Sequence, residues 1–246
     1  MTYLDRIILI LRRVISAASM GVYFSGTNRF QLPNTISIAN QKIKLSAPQE
    51  KGLAWDFINV LLDDEYGLHL IVPQPKTVLD IGANIGLFSI WAAHCFPLAT
   101  IHAYEPNSKI TSFTQSNLDQ CNITLFKEAV GAEIGFASIV DSSESRLGQF
   151  TTGASEGISA ITLEEAINRI GGSVDLLKLD CEGAEWEIFL NPNPFKKVKL
   201  VRMEYHLTDG RTLENLTRFI SSIGFTIDNL QENSGFGIVW FSNSKS

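Results

Sequence analysis

An acidic residue stands directly before a turn of small residues in this chain of 246 residues. Asp80 ends a short apolar run at residues 77–79, and a second apolar run follows the turn at residues 87–96. In α/β proteins this order of strand, turn and helix presents the start of a helix to a ligand that carries a nucleoside. The small residues of the turn are Gly82, Ala83, Asn84 and Gly86.

The position of the acid indicates which nucleoside ligand fits this turn. A dinucleotide site uses three glycines, whereas Asn84 stands in the place of one here, and the Asp80 carboxylate would repel a pyrophosphate. A second acid, Glu105, ends the next predicted strand, where a carboxylate can accept hydrogen bonds from both ribose hydroxyls. The two acids together predict a nucleoside that carries an amino acid. The alternative for Asp80 alone is a cap of the helical turn.

Four further polar residues follow two later predicted strands. They are Asp180, Glu182, Glu204 and His206. Residues i and i+2 of an extended chain point the same way, so both pairs converge at the carboxyl edge of the sheet if their strands are neighbours. Asp180 or His206 could then act as the general base that takes a proton from a hydroxyl. Two alternatives stay open, a Mg²⁺-like ion held by these side chains and purely structural acids at a helix start.

The chain around these residues alternates between strand and helix periods, which predicts a doubly wound α/β sheet. The seven predicted strands are residues 77–81, 100–104, 123–127, 174–179, 200–204, 225–230 and 236–241. The last two have no helix between them and are expected to pair antiparallel. Residues 136–140 are predicted as an additional short strand. The Ser/Gly/Thr-rich residues 141–159 show no periodicity, which favours a substrate lid or a mobile surface loop.

Residues 1–70 are predicted as an extension that covers a domain formed by residues 71–246. Residues 35–38 and 42–45 alternate polar and apolar side chains, which is typical of a hairpin, and a helix is predicted at 55–62. The extension begins with an amphipathic helix that includes residues 5–18. This helix is too short and too charged to span a bilayer, so we expect it to pack on the domain or on a second subunit. Peripheral contact with a membrane surface is the alternative.

Composition restricts the class of protein further. The formal net charge of −6 and the absence of a Lys/Arg block argue against a nucleic-acid partner. The three cysteines form no C-x-x-C pair, which predicts a reduced, cytoplasmic protein without a cysteine zinc site. No small-residue cleavage pattern follows a long apolar core, so a signal peptide is not expected.

Four segments together resemble the FkbM family of class I S-adenosylmethionine-dependent methyltransferases. They are Leu79–Gly86, Tyr104–Asn107, Leu176–Glu185 and Met203–His206. Cys181 stands where the family more often has a β-branched apolar residue. The resemblance implies a Rossmann-like fold with a seven-stranded sheet, an antiparallel C-terminal strand and bound S-adenosylmethionine.

The resemblance also implies roles for particular residues. Asp80 would lie near the amino group of the donor or a bound water, Glu105 would bind the ribose, and Glu128 and Ala129 would contact the adenine. The full set of implied cofactor contacts is Asp80, Gly82, Ala83, Asn84, Gly86, Glu105, Pro106, Glu128 and Ala129. The implied reaction is methylation of a hydroxyl on a sugar or small metabolite. Its rivals are an N-methyltransferase, a nicotinamide-dependent oxidoreductase and a catalytically silent cofactor-binding module.

Overall fold

The computed structural model of the protein describes residues 2–38, 41–140, 149–154, 157–181, 183–208 and 210–243. The strands in these residues are β1 (Thr35–Ile38), β2 (Gln41–Lys44), β3 (Thr77–Ile81), β4 (Thr100–Tyr104), β5 (Thr124–Phe126), β6 (Ala129–Gly131), β7 (Gly135–Val140), β8 (Gln149–Ala154), β9 (Ile158–Thr162), β10 (Val174–Leu179), β11 (Val198–His206), β12 (Phe225–Glu232) and β13 (Phe236–Asn243). The α-helices are α1 (Tyr3–Ser19), α2 (Gly52–Phe57), α3 (Leu87–Cys95), α4 (Thr111–Leu118), α5 (Leu163–Arg169), α6 (Glu185–Ile188) and α7 (Leu213–Ser222).

The central sheet has seven strands in the order β12-β13-β11-β10-β3-β4-β5. The strands from β11 to β5 run parallel, while β13 pairs antiparallel with both β11 and β12. A parallel connection needs a crossover, and the short turn between β12 and β13 provides none. This order confirms the predicted doubly wound class I methyltransferase sheet with an antiparallel C-terminal strand.

The sheet is buried on both faces. Successive residues of a strand point to opposite faces, and Val78 and Leu79 of β3 accordingly belong to two different apolar clusters. Helix α3 and the N-terminal residues cover the Val78 side. Helices α5 and α7 cover the Leu79 side. Burial on both faces explains why the parallel strands read as continuous apolar runs in the sequence.

The N-terminal extension shares the Val78-side cluster with the sheet. The predicted hairpin is confirmed, with Ile36 of β1 opposite Ile43 of β2, although its turn residues 39 and 40 lie outside the described residues. The helix predicted at 55–62 begins earlier, at Gly52, because Leu53 adds a buried turn. From Ile58 to Leu62 the chain continues as a π-helical turn. Residues on both sides of the predicted boundary after residue 70 therefore pack into one core.

A second sheet of four strands, in the order β6-β9-β7-β8, follows β5, the edge strand of the central sheet, along the chain. The predicted strand at 136–140 is confirmed as β7. The prediction that residues 141–159 contain no strand is wrong, because β8 and the start of β9 fall within them. Strands β8 and β9 contain Thr and Ile, which favour strands. Neighbouring Ser and Gly residues do not, so no strand pattern is apparent in the sequence. The remainder of the predicted lid, residues 141–148, 155 and 156, lies outside the described residues.

Helix α1 begins with a reciprocal capping box between Thr2 and Asp5, which confirms the predicted helix. The helix packs on the domain through Arg13, which pairs with Asp63, and through the buried Ala17, whereas its apolar side is exposed. Leu11 and Ile15 are exposed, whereas Ala17 near the helix end is buried. Among the described residues, no helix combines the length and the apolar character that crossing a membrane requires.

Candidate active site

The turn after β3 is fixed against the neighbouring strand ends. The amides of Gly82 and Ala83 both donate to the carbonyl oxygen of Tyr104 at 3.0 Å. Gly82 has a φ of +81°, and a Cβ placed on it would lie 1.7 Å from the carbonyl oxygen of Asp180. Glycine is therefore required here both by backbone conformation and by close approach. The turn is held at the carboxyl edge of the sheet, as the sequence predicts.

We expect Gly82→Ala to lower the free energy of unfolding by roughly 3 kcal/mol more than Gly224→Ala, since only the first creates a backbone clash. Gly224 has the same φ of +81° but nothing within 4 Å of its Cβ position, so it isolates the conformational strain. Urea unfolding of the two variants measures the difference. Equal losses of stability would contradict the close approach of the turn to β10.

Two of the residues implied as cofactor contacts do not line the cavity beside this turn. Asp80 is fully buried, accepts a hydrogen bond from the Ser89 hydroxyl at 2.6 Å and lies 3.3 Å from Lys178 Nζ. Gly86 is the N-cap residue before helix α3 and packs against the side chain of Leu118. Asp80 therefore faces Lys178 and Ser89, and its influence on a ligand is electrostatic or passes through Lys178.

The other seven implied contacts line one cavity of about 290 Å³. They are Gly82, Ala83, Asn84, Glu105, Pro106, Glu128 and Ala129. The side chain of Glu128 forms an ion pair with Arg169. The turn, the end of β4 and the residues after β5 thus meet around one space.

Glu105 is a buried carboxylate with incomplete hydrogen bonding. Its Oε1 and Oε2 accept the amides of Asn107 and Asn84, each at 2.8 Å. Burial raises its pKa to about 7, although these two amides oppose the shift. A carboxylate has about four acceptor positions, so two remain for ligand hydroxyls.

Asp180 and Glu204, two of the predicted catalytic residues, line the same cavity. Asp180 Oδ2 accepts a hydrogen bond from Tyr66 Oη at 3.4 Å and lies 3.2 Å from Lys178 Nζ. Burial alone would lower the pKa of Lys178, but the carboxylates of Asp180 and Asp80 outweigh it and raise the pKa. Lys178 is therefore a permanent cation beside the Asp180 carboxylate.

His206, a third predicted catalytic residue, is not among the described residues that line the cavity. His206 lies in β11 instead of following it, with Nδ1 3.7 Å from Glu185 Oε1 and Nε2 3.8 Å from Glu204 Oε1. Strand β11 is longer than predicted because it pairs with β13 up to His206. Glu182 lies outside the described residues. No group of three or more His, Cys, Asp or Glu in the described part of the chain is placed to hold a metal ion.

The N-terminal extension supplies a wall of the cavity that sequence reasoning missed. Its lining residues are Trp55, Asp56, Asn59, Val60, Glu65 and Tyr66. Nothing local marks them in the sequence, because residue types of this kind occur in many helices and loops. Lys178 was also missed, and there a signal existed: a lysine inside the apolar run Leu176–Leu179 is buried and needs an acidic partner.

The loop that carries Glu65 and Tyr66 is anchored to strands β11 and β13 of the central sheet. Trp240 Nε1 donates to the carbonyl of Glu65 at 3.1 Å, and Arg202 Nε donates to the carbonyl of Tyr66 at 2.8 Å. The Arg202 guanidinium also stacks over the Trp240 ring at 4.8 Å. These contacts from β11 and β13 hold the two side chains opposite Asp180.

Glu65 has the most strongly perturbed carboxyl group of the cavity lining. Burial raises its pKa to about 8, the negative charges of Asp180 and Asp56 add to the shift, and Lys178 opposes it. We call Glu65, Asp180 and Glu204 the carboxylate wall. The wall combines Glu65, whose raised pKa lies close to neutral pH, with Asp180, which pairs with Lys178.

The cavity as a whole is acidic. Among the described residues that line it, the basic side chain is that of Lys178. The lining carboxyl groups are those of Asp56, Glu65, Glu105, Glu128, Asp180 and Glu204. Such a lining attracts a cation and opposes a pyrophosphate. With Glu105 available to hydroxyls, the chemistry of this donor set fits a nucleoside that carries positive charge.

Comparisons with known proteins identify a matching family and several similar proteins. The model of the FkbM methyltransferase domain matches residues 80–227. The AMB antimetabolite synthetase AmbE of Pseudomonas aeruginosa is 38% identical over 60 residues, which make up 24% of this chain and only 3% of that relative. Among solved structures, the Methanococcus jannaschii fibrillarin pre-rRNA processing protein has a TM-score of 0.49 at 12% identity, covering 90% of this chain and 85% of that one. Precorrin-6y C5,15-methyltransferase from Geobacter metallireducens has a TM-score of 0.46 at 16% identity, and the match covers 74% of this chain and 86% of that one.

Proposed function

The chain belongs to the FkbM family of S-adenosylmethionine-dependent methyltransferases, and we propose that it methylates a hydroxyl oxygen of a sugar or another small metabolite. The observation that carries this proposal is the carboxylate wall, which lies in the same cavity as Glu105 and the turn after β3. A donor site and a set of proton acceptors thus share one space. That arrangement is what transfer to a hydroxyl needs.

The residues of the turn and of β4 would hold the donor. Glu105 would accept the ribose hydroxyls, the segment from Gly82 to Asn84 would contact the methionine part, and Glu128 and Ala129 would border the adenine. When bound, S-adenosylmethionine supplies an electrophilic methyl group next to a positive sulfur. The surrounding carboxylates complement that charge, which supports a sulfonium donor over a dinucleotide.

Within the carboxylate wall, Glu65 is the residue that we assign as general base. A base works best when its pKa lies near the working pH, and Glu65 meets that condition. It would take the hydroxyl proton as the oxygen becomes methylated and then release that proton to solvent. Asp180, held by Lys178 and Tyr66, would orient the acceptor hydroxyl. His206 is a weaker candidate for the base because it does not line the cavity.

The same acidity favours an oxygen acceptor over a nitrogen acceptor. Carboxylates around an amine stabilise its ammonium form, which has no lone pair for attack. A hydroxyl is neutral at the same pH and needs only a proton acceptor as it reacts. N-methylation and a catalytically silent module are the rivals that an assay must separate from this proposal.

The test is a transfer assay with methyl-labelled S-adenosylmethionine and paired acceptors. Each hydroxylated sugar or metabolite is offered beside its analogue in which an amine replaces one hydroxyl. We expect label in an ether product from the alcohols and at least tenfold less label at the amines, since the amines stay protonated. Preferential N-methylation would overturn the assignment of an oxygen acceptor. Donor binding by calorimetry without transfer to any acceptor would indicate the silent module.

A further inference from the structure

Helix α1 turns its apolar side to solvent and its polar side to the protein. With about 100° between successive residues, six large apolar side chains fall within a sector of about 120°. We call this sector the outer face; its residues are Leu4, Ile7, Ile8, Leu11, Val14 and Ile15. All six are exposed. A helix that packs on its own domain normally has the opposite orientation.

The orientation is fixed by specific contacts on the other side of the helix. Arg13 Nε and Nη2 donate to the two carboxylate oxygens of Asp63 at 2.8 and 2.5 Å. Its Nη1 donates to the hydroxyl of Thr27 at 2.8 Å. Ala17 is fully buried on the same side. Because this bidentate ion pair and Ala17 define the inner side, the outer face points away from the body of the protein.

Two exposed arginines lie outside the outer face. Arg12 lies about 40° beyond one edge of the sector, and Arg6 lies about 80° beyond the other edge, on the polar side of the helix. The acid of the helix, Asp5, accepts the amide of Thr2 at 2.7 Å within the capping box. Tyr3 stands exposed at the first turn. Long basic side chains beside an apolar stripe, with an aromatic residue at the end, are typical of helices that lie in a lipid interface.

We propose that α1 docks on a membrane surface containing anionic lipids, with the outer face in the acyl boundary and Arg6 and Arg12 at the phosphates. The arginines match anionic headgroups in charge, and the outer face provides apolar side chains without a charge among them. The helix contributes about 25 Å of length at 1.5 Å per residue, which suits lying along the interface. This inference is independent of the methyl acceptor.

The experiment is vesicle flotation of the full chain. One set of vesicles contains phosphatidylcholine with phosphatidylglycerol, and the other contains phosphatidylcholine alone. We expect binding to the first set that weakens with added salt, and severalfold weaker binding to the second. Arg6→Gln with Arg12→Gln should remove most of that preference, since each arginine near an anionic surface contributes about fivefold in affinity.

A triple variant tests the outer face itself. Ile8→Gln, Leu11→Gln and Ile15→Gln together should lower vesicle binding at least about tenfold, because apolar area is lost from the interface. The matched control places the same number of glutamines at other exposed apolar sites. These are Leu98, Ile134 and Leu190, with exposed fractions of 91%, 73% and 74%. The control variant should bind vesicles like the unmodified chain.

Several results would overturn the proposal. The first is no flotation with either vesicle set, and the second is an equal loss of binding in the triple variant and its control. A third is a dimer of the unmodified chain, detected by light scattering, that dissociates in the triple variant, combined with no vesicle binding by either protein. That result would show that a second copy of the chain covers the outer face.

Discussion

Glu105→Gln is expected to weaken the binding of S-adenosylmethionine about 100-fold, measured by titration calorimetry. The carboxylate accepts one amide at each oxygen, from Asn84 and Asn107, and retains capacity for two ribose hydroxyls. Glutamine has a single oxygen, and its NH₂ group would face one of those amide donors. Losing two charge-assisted hydrogen bonds of about 1.5 kcal/mol each corresponds to a factor of about 100 in affinity.

The pH dependence of donor binding provides a second readout. Because the pKa of Glu105 in the free protein is about 7, its carboxyl is increasingly neutral below that pH and loses acceptor capacity. The affinity of the unmodified protein should therefore rise as pH increases through about 7, and this contribution should be absent in Glu105→Gln. S-adenosylhomocysteine should lose a similar factor in affinity, since it carries the same ribose.

Glu133→Gln is the matched control, because Glu133 is exposed and its replacement changes the net charge by the same amount. Thermal unfolding separates a loss of binding from a loss of folding. A folded Glu105→Gln protein with undiminished affinity for both nucleosides would remove the ribose assignment. It would leave family membership untouched, since that rests on the match over residues 80–227.

The donor half of the candidate site could be predicted because its residues are close in sequence. Gly82 and Asn84 belong to one strand-turn-helix unit, and the conformation of that unit is determined locally by residues that accept positive φ. Glu105 follows at the end of the next strand in the parallel sheet. The pairing of the last two strands was also predictable, because the absence of a helix between β12 and β13 leaves only an antiparallel arrangement.

The opposite wall of the cavity could not be predicted because it depends on contacts that are distant in sequence. Glu65 reaches the cavity through the anchoring of its loop by Arg202 and Trp240, two residues on late strands. Its raised pKa arises from burial and from Asp180, more than 100 positions away. The sequence shows an acid in a loop, while its chemistry is produced by tertiary packing. Asp80 illustrates the converse: its position was predicted, but its pairing with Lys178 was not.

The same long-range packing makes Glu65→Gln the most informative catalytic substitution. With the acceptor found in the transfer assay, we expect the variant to lose about 10²- to 10³-fold in turnover, the usual contribution of a general base. For the unmodified enzyme, kcat/KM for the donor should rise with pH and level off above about 8, since only the ionised Glu65 accepts a proton. The rise near pH 8 should disappear in Glu65→Gln, while the rise near pH 7 that comes from Glu105 remains.

Stability measurements distinguish this loss of turnover from a loss of folding. The folded protein keeps the Glu65 proton up to a pH of about 8, whereas the ordinary pKa of the group is 4.5, so folding favours the protonated form. This carboxyl therefore makes the unliganded protein less stable as pH rises from about 4.5 to about 8. Glutamine resembles the protonated acid and lacks this effect. At pH 9 the variant should unfold at a temperature equal to or higher than that of the unmodified protein.

Asp180→Asn determines which carboxylate of the wall is the base. The negative charge of Asp180 raises the pKa of Glu65, so its removal should shift the midpoint of the pH profile to lower pH. If Glu65 is the base, this variant keeps a pH-dependent rate, reduced only by poorer positioning of the acceptor. If Asp180 is the base, Asp180→Asn loses the full 10²- to 10³-fold while Glu65→Gln loses far less. The two assignments of the base therefore predict opposite rankings of the loss of turnover in the two variants. The observed ranking identifies the carboxylate that accepts the proton.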